Sequence, residues 1–273
     1  MELTGERFLP QMKGVIEYEH LIRYLFVVQQ LNLKGKTVVD IASGEGYGSE
    51  IMSREASEVI GVDISSEAVE YANKKYIKEN LKYIQGDACK IPLDDDFADV
   101  FVSFETIEHH DKHHEMLSEI KRVLKPDGIL IMSSPDKKNY SEIPGYDNPY
   151  HVKELYYEEF KKLISGYFKH SFFFSQNNIS GSVITADFGH DDKSSPDIID
   201  LNQNLNKFFP LYNIVITTDN EGFKPSGKQI MCGEFRMLTD EDIFQAQQEV
   251  RRTMEYRLGR KILKRLKFLK KFL

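Results

Sequence analysis

Apolar runs and amphipathic stretches alternate along the first half of the chain. Leu21, Leu25, Val28 and Leu31 recur at helical spacing over residues 17–33, with Ile22 and Phe26 beside them. That predicts an amphipathic helix ended by Gly35. Short apolar runs at 37–41, 58–62, 81–85, 97–104 and 129–133 predict five strands. The run at 97–104 is almost wholly apolar, as a strand covered on both faces should be. Residues 49–54, 65–80 and 113–124 read as the intervening helices. Ser65 or Ser66 caps the second of these, and Pro126-Asp127-Gly128 stops the third. Strand and helix in alternation specify an α/β fold, a doubly wound and mostly parallel sheet.

Beyond Asn148 the pattern loosens. A helix at 153–164, a strand at 169–175 and a polar insertion at about 177–206 are expected. A strand at 212–217 follows, then a further one at 230–236 and a long helical pattern over 240–273 interrupted by Gly259. The expected division is an N-terminal helical lid at 1–36, a sheet domain at 37–237 and a basic amphipathic helix at 238–273.

Charge changes this picture in one place. The whole chain carries a net charge of -7, which argues against a nucleic-acid partner. Residues 251–273, however, carry +9, leaving -16 on the rest. Cys89 and Cys232 suggest neither a disulfide framework nor a zinc cluster. Residues 1–13 lack the apolar core of a secretory signal, and no apolar run is long enough to span a bilayer, so a cytoplasmic protein is expected.

The candidate chemistry begins at Val38-Val39-Asp40-Ile41-Ala42-Ser43-Gly44-Glu45-Gly46-Tyr47-Gly48. An apolar strand ending in a glycine turn is how this class of sheet meets a nucleotide-like ligand. The spacing here is G-x-G-x-G rather than the dinucleotide G-x-G-x-x-G. Asp40, four residues before Gly44, would repel a pyrophosphate and suits a ligand with positive charge. Asp63 ends the second strand 19 residues after Gly44, where a ribose-binding acid belongs. Asp87, beside Ala88, ends the third strand and suits an adenine amino group.

This set, with Gly-Val-Asp-Ile (61–64), Gly-Asp-Ala (86–88) and Glu-Ile-Lys-Arg-Val-Leu-Lys-Pro-Asp-Gly (119–128), resembles the class I S-adenosylmethionine-dependent methyltransferases over roughly residues 37–134. The resemblance implies S-adenosylmethionine as cofactor and Asp40, Ala42, Gly44, Gly46, Asp63, Ile64, Asp87, Ala88 and Phe104 as its binding residues. Gly44 and Gly46 would follow its methionine part, Asp63 its ribose and Asp87 its adenine, with Phe104 facing the transferred methyl group. The opening segment, Thr4 to Pro10 with Tyr18 to Tyr24, is similar to openings of methyltransferases of bacterial surface-polysaccharide synthesis. Arg7 and Arg23 would then reach the cofactor carboxylate; a plain lid packed on the sheet edge is the other reading of that segment.

After the fourth strand comes Phe104-Glu105-Thr106-Ile107-Glu108-His109-His110-Asp111. In a helical turn Glu105, Glu108 and His109 share one face. Two carboxylates and an imidazole suit a divalent cation such as magnesium, manganese, iron(II) or zinc, and His151 offers a fourth ligand. The motif looks like the Glu-x-x-Glu-His of small-RNA 2′-O-methyltransferases and ubiquinone-pathway O-methyltransferases. By that resemblance Glu105, Glu108, His109 and His151 bind a metal that activates a substrate hydroxyl. Without a metal, His109 or His110 is the candidate general base, with Glu108 beside it, and His113 and His114 read as solvated residues at a helix start.

In the tail, Leu258, Ile262, Leu266, Leu269 and Leu273 form a stripe among lysines and arginines. One reading lays it on an anionic membrane surface, making the protein peripheral at the inner face of the cell membrane. The other packs it on the acidic body or on a second copy in a homo-oligomer. The resulting expectation is an O-methyltransferase acting on a sugar hydroxyl of a cell-surface glycan or of its nucleotide- or lipid-linked precursor. The rivals are a small-molecule methyltransferase, for example on a quinone precursor, and a non-catalytic cofactor-binding module.

Overall fold

A computed structural model describes residues 15–177 and 211–226, with side chains from Glu19 onward. Seven strands form one sheet: β1 (Thr37–Ile41), β2 (Glu58–Asp63), β3 (Leu81–Gln85), β4 (Ala98–Ser103), β5 (Leu124–Pro135), β6 (His170–Gln176) and β7 (Tyr212–Thr218). Their order is β3-β2-β1-β4-β5-β7-β6. The ladders from β3 through β5 are parallel, and β7 runs antiparallel to both its neighbours. The helices are α1 (Val15–Gln30), α2 (Tyr47–Met52), α3 (Ser66–Lys75), α4 (His113–Val123) and α5 (Tyr157–Ser165).

Alternation along each inner strand sorts side chains onto two faces. Val39, Ile41, Phe101, Leu130, Met132 and Val215 join α4 and α5 in one core layer. Val38, Val100, Val102, Ile131, Ile214 and Ile216 join α1, α2 and α3 in the other. Asp40, between Val39 and Ile41, therefore faces the α1–α2 layer. The order of strands reverses between β1 and β4, so the crevice for a ligand opens at their C-terminal ends.

Three sequence-based expectations shift. Helix α3 begins where Ser65 Oγ accepts the Ala68 N–H (3.3 Å), but it ends at Lys75, not near residue 80. The next residues dock on α2 instead, with Lys78 Nζ on Glu50 (2.8 Å) and Asn80 Nδ2 on the carbonyls of Ser53 and Ala56. Strand β5 starts at Leu124 and includes Pro126-Asp127-Gly128, where the pairing with β4 slips between Ala98 and Val100. In α1 the inward face is Arg23, Tyr24, Val27, Gln30 and Leu31, whereas Leu25 is exposed. The helix is rotated because Arg23 reaches inward to hydrogen-bond Gln176 (2.8 Å).

The expected strand at 230–236, the helix at 240–273 and Arg7 lie outside the described residues, as does the insertion at 177–206 apart from Asn177. No helix among the described residues is long and apolar enough to cross a membrane. Phe101 is wholly buried in the layer toward α4 and α5. Phe101→Ala should lower the unfolding free energy by about 3–5 kcal/mol in urea denaturation, and an unchanged midpoint would contradict this packing.

Candidate active site

The turn after β1 is built from backbone conformations that side chains resist. Ala42, Gly44 and Gly46 all have positive φ, at 56°, 54° and 85°. Gly46 is also crowded: a Cβ there would lie 2.5 Å from the Tyr83 ring. The Tyr83 hydroxyl donates to the Gly46 carbonyl (2.6 Å), and the Ser43 N–H donates to the Val62 carbonyl (3.1 Å).

One of the expected acids holds this turn, and a second lies buried behind the following helix. Asp63 accepts the Gly44 N–H at 2.8 Å through one oxygen and the Ser65 N–H at 2.9 Å through the other. Asp40 is completely buried and accepts the hydroxyls of Ser49 (2.6 Å) and Tyr24 (3.4 Å). Burial pushes its carboxyl up to about 7, against the pull of those two hydroxyls and with help from nearby Asp63.

Along the ends of β2 and β3 the crevice is open. Ile64 is 68% exposed beside Asp63, an apolar face where the resemblance puts an adenosine. Asp87 is exposed and accepts the Cys89 N–H (2.8 Å), with half-buried Ala88 between them.

The end of β4 is denser. Phe104 is buried edge-on to Tyr24, with ring centres 5.1 Å apart. Glu105 has φ 47°, the left-handed region that a glutamate rarely adopts. This bend takes Glu105 out of the helical turn expected here, which comprises only Ile107–His109 as a single 3-10 turn. The Glu105 carboxylate accepts the Ser133 hydroxyl (2.6 Å) and lies 3.6 Å from Arg23. It does not join the metal-ligand group assigned to it.

Glu108, His109 and His151 do converge, with one ligand atom from each lying within 4.8 Å of the others. Glu108 is 1% exposed and neither of its carboxyl oxygens has a hydrogen-bond partner among the described residues. Burial, and then the neighbouring Glu105, hold its carboxyl well above the usual carboxylate range. Its backbone carbonyl accepts the N–H groups of Val152 (2.8 Å) and Lys153 (3.0 Å), which brings His151 alongside. His109 Nδ1 faces the Tyr150 carbonyl (3.1 Å), so it carries the proton and Nε2 keeps a lone pair. His151 Nδ1 faces Glu154 (2.5 Å) and its Nε2 accepts from Asn148 Nδ2 (3.0 Å), which fixes the same tautomer. These are the supports that metal-binding imidazoles use.

His110 turns the other way. Its Nε2 meets Met116 Sδ (3.3 Å) and its ring lies against His113, so it stands apart from the Glu108, His109 and His151 group. His113 is buried rather than solvated, and His114 pairs with the Tyr167 hydroxyl (3.0 Å).

Arg23 is 1% exposed. Its Nε donates to Gln176 (2.8 Å) and its guanidinium lies 4.4 Å from the Tyr212 ring centre, while Nη1 and Nη2 have no hydrogen-bond partner among the described residues. A buried planar donor left open on one side fits a carboxylate. The site thus offers three acids and one guanidinium, matching a cofactor with cationic centres and one carboxylate. Gln176, Tyr212, Ser133 and Ser49 have no motif of their own and arrive from distant strands and helices. Only Glu154, three residues after His151, was readable as a partner.

Residues 39–132 match the family described as Methyltransferase domain. A relative from Mycolicibacterium smegmatis, named "Probable S-adenosylmethionine-dependent methyltransferase", is 34% identical over 170 residues, 60% of this chain and 63% of that protein. One of the same description from Mycobacterium tuberculosis is 33% identical over 169 residues, 60% of each chain. A phthiotriol/phenolphthiotriol dimycocerosates methyltransferase from Mycobacterium leprae is 27% identical over 113 residues, 41% of this chain and 42% of that one. The chain therefore spans less than two thirds of the length of these relatives.

Among solved structures, a SAM-dependent methyltransferase from Archaeoglobus fulgidus superposes with a TM-score of 0.55 at 21% identity, covering 73% of this chain and 94% of that one. A Pyrococcus horikoshii protein superposes with a TM-score of 0.56 at 18% identity, covering 78% and 97%. At those identities the likeness speaks for the fold alone. Sheet order, glycine turn and family match make residues 39–132 a methyltransferase domain. The relatives that share this stretch are the ones named as S-adenosylmethionine-dependent.

The buried Asp40 carboxyl gives this site a pH signature. Because its folded pKa is raised, its stabilising contribution is complete below the unfolded value near 3.9 and is lost as pH rises to about 7. Asp40→Asn should therefore gain on the wild type as pH rises from 4 to 7, by at most about 4 kcal/mol. Urea unfolding of both proteins across that range checks it, and a constant difference would contradict the assignment.

Proposed function

We propose that this chain is an S-adenosylmethionine-dependent O-methyltransferase in which Glu108, His109 and His151 hold a divalent cation against the acceptor hydroxyl. The observation that carries this reading is the buried Glu108 carboxyl, without hydrogen-bond partners among the described residues, beside two imidazoles held from behind by Tyr150 and Glu154. A buried carboxyl left so is costly unless a ligand completes it. One carboxylate and two imidazoles suit zinc, iron(II) or manganese.

A bound cation would lower the pKa of an acceptor hydroxyl, as it does for water. The chain's own residues do the rest. Asp63, at the end of β2, takes the ribose hydroxyls. Arg23 takes the cofactor carboxylate, and the Gly44–Gly46 turn lets the cofactor close on the ends of β1 and β4. Phe104 and Tyr24 keep water from the sulfonium. The acceptor oxygen displaces the thioether at the methyl carbon, and its proton leaves to solvent. Without a cation, His109 Nε2 is the base that takes it.

For the acceptor we infer a sugar hydroxyl of a cell-surface glycan or its precursor. The support is the opening segment's likeness to polysaccharide-associated methyltransferases, and the half-exposed Tyr146 and Tyr150, which offer ring faces near the catalytic group. The relative named for phthiotriol and phenolphthiotriol dimycocerosates supports a second reading, a lipid acceptor. Either acceptor agrees with residues 251–273, whose charge of +9 we infer to meet an anionic membrane.

Glu108→Gln and His151→Ala should each lower kcat/KM by about 10²-fold or more while cofactor affinity stays within about threefold, and a chelator should do the same to the wild type. Turnover of envelope extracts with radiolabelled cofactor reads this out. Full activity in the variants would sink the metal reading and leave the methyltransferase reading standing. Deleting 251–273 should abolish flotation with anionic liposomes, and equal flotation of both proteins would remove the membrane.

A further inference from the structure

Arg23 and Glu105 present an ion pair that is incomplete on both sides. The nearest approach, Arg23 Nη2 to Glu105 Oε2, is 3.6 Å, and Glu19 lies at 3.9 Å. Both distances are too long for hydrogen bonds. Four guanidinium N–H groups thus have no hydrogen-bond partner among the described residues, in a wholly buried position. Glu105 in turn sits in a strained backbone conformation, 19% exposed, held by one short hydrogen bond from Ser133. Three residues further along, Glu108, His109 and His151 supply three ligands, one short of a closed tetrahedral set.

We propose that Glu105 is exchanged between two partners, Arg23 when the cofactor is absent and the cation at Glu108, His109 and His151 when the cofactor is bound. This rests on the functional reading above. The cofactor carboxylate can give Arg23 the planar two-oxygen acceptor that Glu105 does not. A second carboxylate beside Glu105 then repels it. The chain from 105 to 108 is short, and the trio is where the next positive charge sits. Glu105 thereby completes the metal set only in the loaded enzyme. By reciprocity, cofactor and cation each tighten the other's binding.

The exchange acts against wasteful chemistry: a hydroxyl is activated only once a methyl donor is in place. It also accounts for a glutamate that pairs poorly with both Arg23 and the trio. A residue that serves two positions is held in neither with ideal geometry.

Manganese binding to the full chain, read from the EPR signal of the free ion, tests this without any acceptor. S-adenosylhomocysteine, which carries the carboxylate, should tighten manganese binding by about tenfold, within the usual range of such couplings. Methylthioadenosine, which lacks the amino-acid part, should not. Glu105→Gln should bind manganese weakly and lose the response to S-adenosylhomocysteine. Ser133→Ala frees the Glu105 carboxylate, so it should bind manganese more tightly than the wild type without any cofactor. Manganese binding that is lost in His109→Ala but indifferent to S-adenosylhomocysteine would overturn the exchange alone. The same holds if the response persists in Glu105→Gln. Absence of manganese binding in every condition would overturn the exchange and the metal reading together.

Discussion

The arrangement of the site turns on one buried charge, the Arg23 guanidinium. An ionised group taken out of water is costly unless other groups surround it. Gln176 at the end of β6, the Tyr212 ring on β7, Glu19 on its own helix and Glu105 after β4 all gather around it. Tyr212 is itself tied to Glu19 by its hydroxyl (2.5 Å). These contacts fasten α1 across the C-terminal edge of the sheet and place Tyr24 between Asp40 and Phe104. A helix that might have been a loose cover becomes one wall of the crevice.

The same economy of buried groups explains the opposite wall. Glu108 is buried without hydrogen-bond partners on its carboxyl among the described residues, while its backbone carbonyl receives two. The backbone bonds carry the fold of this segment. His109 and His151 are oriented by groups behind them, a carbonyl and a carboxylate, and one ligand atom of each lies within 4.8 Å of the other and of Glu108. Between the two walls lies the glycine turn, held in shape from behind by Asp63, Tyr83 and Val62.

The sheet was legible from apolar runs because its inner strands are buried on both faces, and β3 falls where its five residues predict. The Asp63–Gly44 relation was legible as a spacing, although its hydrogen bond was not. Helix α1 was misjudged in its facing, since apolar periodicity treats Arg23 and Gln30 as outward positions and both are buried. Glu105 was misplaced for a related reason. Spacing along an ideal helix assumes helical φ, and the positive φ at Glu105 breaks that assumption. His110 looks like its neighbour in sequence but is committed to Met116 and His113, a preference set by α4. Periodicity reports burial of apolar groups; it is blind to polar groups buried by long-range partners.

The central claim is that Glu108, His109 and His151 form a cation site at the mouth of an S-adenosylmethionine crevice. Anomalous scattering at the manganese edge, from crystals grown with manganese and S-adenosylhomocysteine, addresses it most directly. The account predicts one strong peak at bonding distance from a Glu108 oxygen and from a ring nitrogen of each histidine. A nucleoside bound along Asp63 and Ile64 with no anomalous density at those three residues would contradict it.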